Sequence, residues 1–179
     1  MLLFWERGYS GTSLKALQAA MGVRHPQSLI SAYGSKPELF EAALNSYWER
    51  RLGPVLARLD ADDPIAAFDG LLDGAARLYT TSSPARGCLI LTGLVNLKPE
   101  DAAVSPIVTA YRRQIFDAIE RRLARAVADE HLSPMLKPSL NELCLTTFCG
   151  MALRAHSGAS YEDLVGGIDL VLEPLKASI

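Results

Sequence analysis

Between Phe4 and Phe40 this chain cannot hold one long helix, because glycines, a proline and short polar caps interrupt it too often. The segment reads FWERGYSGTSLKALQAAMGVRHPQSLISAYGSKPELF. Gly8-Tyr9-Ser10-Gly11 is a turn built from residues that disfavour helix. Thr12 stands where an N-cap is wanted, its hydroxyl able to accept from a free backbone N–H. Leu14, Leu17 and Met21 follow at i, i+3 and i+7, the apolar stripe of a short helix. Gly22 suits the left-handed position that ends such a helix, and Val23 would plug the turn into a core.

Pro26 opens a third helix, where a first-turn proline loses no intrahelical bond. Its spacing turns Leu29, Ala32 and Tyr33 inward and leaves Gln27, Ser28, Ile30 and Ser31 outward. Ser35-Lys36-Pro37-Glu38 fits a capping box, with Ser at N-cap and Glu at N3. Leu39, Phe40, Ala43, Leu44, Tyr47 and Trp48 then give a fourth helix its buried face.

The spacing resembles the DNA-binding domain of the tetracycline-repressor (TetR) family of transcriptional regulators. Phe4, Gly8, Tyr9, Thr12, Ser13, Leu14, Leu17, Gly22, Val23, Leu29, Tyr33, Ser35, Lys36, Leu39 and Phe40 carry the register. Pro26-Gln27-Ser28-Leu29 and Ala32-Tyr33-Gly34-Ser35-Lys36 follow a family variant that reads roughly GI-x-PQSLYAAFGSK. Two departures stand out. Ile30 occupies the place where the family usually has a tyrosine that contacts phosphate, and Arg24-His25 makes the preceding turn one residue longer. Met1 falls inside the first helix of the pattern, so that helix is expected to lack its N-terminal turns.

The resemblance implies an all-α protein in two parts. Residues 1–50 would form a three-helix helix-turn-helix domain, and residues 51–179 a helical bundle for effector binding and dimerisation. The third helix would lie in the major groove, where base edges carry an unambiguous hydrogen-bonding code. Gln27 could read adenine, Ser28 and Ser31 could bond to bases or phosphate, and Ile30 could meet a thymine methyl. Thr12, Ser13, Arg24 and Lys36 are suited to phosphate, and Tyr33 completes the DNA-contacting set. The implied partners are double-stranded operator DNA, a second copy of the chain and a small-molecule effector. The implied activity is repression released by that effector.

Charge is compatible with this once counted by segment. The net charge of −2 argues by itself against a nucleic-acid binder. Residues 1–51 nevertheless hold six Lys/Arg and four Asp/Glu, whereas 52–179 hold twelve and sixteen. So modest an excess calls for a dimer, with affinity that falls steeply as salt rises. The most apolar run, Cys88 to Leu97, is short and broken by Thr92, Gly93 and Asn96, so no membrane span or signal peptide is expected. Cys88, Cys144 and Cys149 are odd in number and lack metal-binding spacing. Reduced cytoplasmic thiols are expected, with no metal and no cofactor.

Beyond residue 50 the pattern stays helical. Asp63-Pro64 opens a run with Ile65, Phe68, Leu72, Ala75 and Tyr79 on one face. Residues 82–87 form a loop, and an apolar helix follows over Cys88–Leu97. Ser105-Pro106 starts the longest helix, with Tyr111, Ile115 and Ala126 inward and Arg112, Arg113, Arg121, Arg122 and Arg125 on a solvated, ion-paired face. Pro138 opens a helix through about His156, and Ser160-x-x-Asp163 caps a last one ending near Lys176. ARGCLILTGL, residues 85–94, and the turn at Gly158-Ala159-Ser160 extend the resemblance more weakly along the chain. In the family the last two long helices form a four-helix dimer interface. Leu143, Thr147, Met151, Leu164, Ile168, Val171 and Leu175 would supply it here, about half of them serving the monomer core, with Gly150 and Gly167 allowing close approach. Phe68, Leu72, Tyr79, Leu91, Tyr111, Ile115 and Phe148 would line an effector pocket suited to an apolar or aromatic molecule.

Two rival readings use the same residues. A family-shaped dimer without specific DNA binding would accommodate Ile30, the longer turn and the short first helix. An enzyme would require a thiol–imidazole pair, for which Cys149 and His156, seven residues apart, supply the candidates. No catalytic residue is assigned.

Overall fold

A computed structural model describes residues 1–23, 26–81, 86–93 and 97–178, with the side chains of Pro26, Gln27 and Ile30 outside that description. Every regular element among the described residues is helical. Helix α1 spans Leu2–Arg7, α2 Leu14–Ala20, α3 Pro26–Tyr33 and α4 Lys36–Tyr47. Then come α5 (Gly53–Leu56), α6 (Pro64–Thr81), α7 (Leu89–Thr92), α8 (Ser105–Ala128), α9 (Lys137–His156), α10 (Tyr161–Val165) and α11 (Ile168–Lys176).

Local chemistry sets most of these boundaries. Helix α2 ends in a Schellman motif: Gly22 takes φ +65°, its N–H donates to Ala19, and the Val23 N–H donates to Gln18. The start of α2 differs from expectation. Ser13, not Thr12, is the N-cap, accepting from the Ala16 N–H at 3.1 Å. Met21 is also exposed rather than inward, because it lies on the solvent side of the turn that Gly22 closes. Asp63 caps α6 through two 3.1 Å bonds from the Ile65 and Ala66 N–H groups. Ser160 and Asp163 form a reciprocal capping box on α10. At α4, Ser35 accepts from the Glu38 N–H at 3.4 Å.

Helix α4 does not stop at residue 47. It runs on through a π-helical turn, Trp48–Leu52, into α5 and a 3-10 turn, Ala57–Asp60. Pro54 has no N–H and its ring would strike a carbonyl one α-turn back, so the chain widens there. Gly53 permits this, since a Cβ at that position would sit 2.9 Å from the Trp48 carbonyl oxygen. Gly53-Pro54 therefore sits in a widened turn within a continuing rod. The apolar helix expected over Cys88–Leu97 is instead the single turn α7, and residues 94–96 lie outside the described part. The expected last helix is divided at Gly166-Gly167 into α10 and α11.

One apolar cluster joins the reading end to the bundle. Phe4, Tyr9 and Phe40 pack together, with ring centroids of Phe4 and Phe40 4.9 Å apart. Trp5 packs edge-on against Tyr47 at 4.8 Å, and its indole N–H donates to the Gly87 carbonyl at 3.2 Å. Gly87 has φ +80° and donates to Tyr79, and a Cβ there would lie 2.6 Å from the Ala152 carbonyl oxygen. Gly87 is thus where α1, α6 and α9 meet. Arg86 beside it bonds the Ala155 carbonyl at 3.1 Å and the Ala159 carbonyl.

The arginine face expected on α8 is only partly solvated. Arg113 and Arg125 make surface pairs, with Asp117 at 2.9 Å and Asp62 at 2.8 Å. Arg112 instead turns to the Ile90 and Leu91 carbonyls, at 3.3 and 2.7 Å. Arg122 is buried, at 4% exposure, and its Nη2 donates to the Ala61 and Asp62 carbonyls. Both arginines are held by backbone carbonyls, an attraction that side-chain periodicity does not reveal.

Candidate nucleic-acid interface

Leu29 is the anchor of α3, at 2% exposure, and it fixes which side of the helix faces out. Ser28 and Ser31 are exposed as expected. Ala32 and Tyr33, expected inward, are exposed as well, Tyr33 at 40%. Among the described side chains of α3, Leu29 is buried, and Ser28, Ser31, Ala32 and Tyr33 meet solvent. Arg24 and the side chains of Gln27 and Ile30 lie outside the described residues.

The N-terminus of α4 adjoins α3, separated by Gly34 at φ +83° and the Ser35 cap. Lys36, the first residue of α4, holds its ammonium 4.1 Å from the centroid of the Tyr9 ring. Burial pulls the Lys36 pKa downward, opposed by the charge of Asp101, with Lys98 adding to the decrease. Burial and Asp101 both push Tyr9 upward, so its ring stays neutral beneath the cation. The stacking holds the lysine at the mouth of the helix N-terminus, where free N–H groups and the helix dipole already favour an anion. Ser13 is exposed at the start of α2.

Thr12 does not belong to this surface. It is fully buried, and its hydroxyl donates to the Gly8 carbonyl at 2.7 Å, with the Leu3 carbonyl at 3.2 Å. It ties the end of α1 to the turn before α2 and has no surface to offer a phosphate. Its position was read from the turn pattern, which cannot separate a cap from a hydroxyl folded under the turn.

The expected effector residues are core in this conformation. Phe68, Leu72, Tyr79, Ile115 and Phe148 are fully buried, with Tyr79 and Phe148 edge-on at 5.7 Å. Tyr111 is spent on a hydrogen bond to Asn45 and packs beside Trp48. Leu91 borders an open cleft of ≈ 360 Å³ with Phe116, Cys149 and Leu153. The Tyr47 and Tyr79 hydroxyls lack a conventional hydrogen-bond partner and lie against the Cys88 thiol, a weak acceptor. Burial drives all three groups toward their neutral forms.

Of the expected interface residues, Met151, Leu164, Ile168 and Leu175 are buried within the monomer. Leu143 is exposed at 37%, and Thr147 and Val171 are half-buried. Leu153 and Leu170, which the helical pattern did not single out, are exposed at 53% and 76%. Gly150 and Gly167 have open space where a Cβ would stand. Cys149 offers no activated nucleophile, since burial raises its pKa despite the opposing charge of Arg112. No group of three or more potential metal ligands occurs among the described residues, and no described helix is long and apolar enough to cross a membrane.

A short helix anchored by Leu29 and facing solvent with Ser28 and Ser31, beside a capped helix N-terminus and set on a helical bundle, defines a helix-turn-helix transcriptional regulator. Comparisons with known proteins agree. No protein-family profile matches the chain. The chain is 28% identical over 178 residues to the HTH-type transcriptional repressor BdcR of Escherichia coli, covering 98% of this chain and 84% of that one. It is 26% identical to the repressor ComR of the same organism, covering 97% and 85%. A structure of a cysteine-substituted variant of the TetR family regulator CifR, with a 26-base-pair operator, superposes at a TM-score of 0.88 and 29% identity, covering 99% of this chain and 92% of that one. A second CifR structure, also holding operator DNA, gives 0.88 at 31% identity, covering 96% and 91%. The chain belongs to the TetR family of transcriptional regulators, and it is a DNA-binding regulator rather than an enzyme.

Proposed function

We propose that the protein is a repressor acting as a homodimer on a near-palindromic operator, and that a small molecule releases it. The observation that carries this reading is the outward face of α3, with Ser28 and Ser31 exposed on a helix pinned by Leu29. On such a helix Gln27, Ser28, Ile30 and Ser31 face base edges, while Ser13, Arg24, Tyr33 and Lys36 position the backbone. The relatives BdcR and ComR carry the name of repressor, and CifR is held on operator DNA. The division of labour follows the two expected parts: residues 1–50 read DNA, and 51–179 pair the subunits and take the effector. The protein works in the cytoplasm, with its DNA.

Dimerisation uses the outer faces of α9 and of α10–α11. Leu143, Leu153 and Leu170 leave apolar surface in water, and Gly150 and Gly167 let a second pair of helices approach closely. Two α3 helices then sit about one DNA turn apart, roughly 34–36 Å, or a multiple of it. The test is an anisotropy titration against the DNA flanking the protein's own gene. Specific binding weakened by Ser28→Ala plus Ser31→Ala supports the reading. Equal, salt-sensitive binding to any duplex would overturn it.

A further inference from the structure

The segment that leads into α8 reaches back to the reading end. Leu97 packs against the apolar cluster and Val104 is fully buried, which pins both ends of a strap whose Lys98-Pro99-Glu100 stretch is exposed. The strap forms a 3-10 turn, Pro99–Val104, and the Asp101 N–H donates to the Lys98 carbonyl at 3.0 Å. Lys98 is tied to the turn between α1 and α2, because its N–H donates to the Ser10 hydroxyl at 3.1 Å. Ser10 follows Tyr9, whose ring carries the Lys36 ammonium, and stands three positions before Ser13, the exposed cap of α2. Two lysines far apart in sequence thus stand on one ridge. After burial and the opposing charge of Asp101, the charge of Lys98 also acts on Lys36, lowering its pKa. Neither ammonium is matched by an acid. Among the described residues Lys36 makes no ion pair and rests on the Tyr9 ring, and Lys98 meets only Glu100, at 4.0 Å, both side chains being mostly exposed. An ion pair so long and so wet contributes almost nothing.

We infer that Lys98 is a second phosphate anchor, a DNA contact that the bundle delivers to the reading end beside Lys36. The proposal rests on the operator-binding reading above and extends it, because Lys98 lies outside the 1–50 part that reads DNA. Each strand of a duplex presents one phosphate per about 3.4 Å of helix axis, so neighbouring ammoniums on one ridge meet neighbouring phosphates. A lysine suits this place, since its ammonium is a point charge on a flexible stem and follows a phosphate without fixed geometry. Exchanging Glu100 for a phosphate costs it little. The backbone bond to Ser10 fixes the base of that stem relative to α2. The contact therefore positions the protein on the duplex and carries no sequence information. Glu100 and Asp101 leave the strap without a basic excess, so the attraction is a direct touch by Lys98 rather than the field of the whole segment.

The experiment uses the full chain and the gene-flanking duplex, with affinity read by anisotropy from about 50 to about 200 mM salt. Lys98→Gln should weaken binding to every duplex alike, and the deficit should shrink about threefold per lost contact across that range. Arg121→Gln removes the same charge from an exposed site about 24 Å along α8 from its first residue, and should leave the salt dependence unchanged. Ethylating single phosphates of the duplex separates touch from action at a distance. At least one ethylation that weakens the parent should leave Lys98→Gln unaffected while still weakening Lys36→Ala. A salt dependence in Lys98→Gln equal to the parent's would overturn the contact. So would an equal change in Arg121→Gln, or one ethylation pattern shared by the parent and Lys98→Gln. A parent that binds all duplexes equally would refute the operator reading instead, and the same comparisons on that duplex would still decide Lys98.

Discussion

Replacing Gly87 by alanine should be among the most damaging single-methyl additions in this chain. The backbone there sits at φ +80°, which costs an L-residue about 1–2 kcal/mol. The new Cβ would lie 2.6 Å from the Ala152 carbonyl oxygen and 3.1 Å from Cβ of His156. The first of these is backbone inside α9 and cannot swing aside. Relief requires moving the loop away from α9, which loosens the 2.9 Å bond to Tyr79 and the 3.2 Å bond from Trp5. Strain and loosened contacts together should cost about 3–4 kcal/mol. For a domain of this size, about 2–4 °C of melting temperature per kcal/mol implies a fall of roughly 6–16 °C. The assay is thermal unfolding by circular dichroism at one fixed protein concentration, since a dimer's midpoint depends on it. Trp5→Phe serves as the comparison. It removes one donor without strain and should cost about 1–3 kcal/mol. A Gly87→Ala protein as stable as the parent, or less affected than Trp5→Phe, would refute the close approach.

Further outcomes follow from the same geometry. Lys36→Ala should weaken DNA binding on all sequences alike and lower the salt slope by about one, checked by titrations at several salt concentrations. Leu170→Asp should leave helicity unchanged and shift the protein to monomer in sedimentation, with DNA affinity falling alongside; persistence of the dimer would remove the outer face of α11 from the interface. Leu29→Ala should cost about 2–5 kcal/mol in thermal unfolding, since that leucine is buried at the base of α3. Asp73 gives a pH signature. The hydrogen bond from Arg77 holds its carboxyl below the usual value of 3.8, burial opposes this, and the Tyr161 hydroxyl assists at 2.5 Å. A depressed native pKa gives stability that is complete above the unfolded value and lost as pH falls through the native one. Asp73→Asn should therefore be less stable than the parent at neutral pH and show a shallower loss below about pH 4. Parallel acid-unfolding curves would remove Asp73 from the acid response.

Much of the reading end was legible in the residues alone. Gly22, Ser35, Asp63 and the Ser160/Asp163 pair stop or start helices through bonds spanning a few residues, so their roles survive without knowledge of the fold. The stripes that place Leu17, Leu29, Leu39 and Phe40 inside are likewise local. Helical spacing misplaced Ala32 and Tyr33, because it defines a face without saying how much of that face a neighbour covers. Thr12 was misread for the same reason, since its two acceptors come from α1 and the turn above it. Arg112 and Arg122 were read as solvated because they stand among acids in sequence. Only in three dimensions do backbone carbonyls of α7 and of the loop before α6 draw them in. Sequence by itself determined the helical class, most helix starts and stops and the family resemblance, since these rest on short-range hydrogen bonds and periodic burial. Tertiary structure alone decided which hydroxyls, guanidinium groups and leucines remain available to a partner, since availability is set by whatever packs against them.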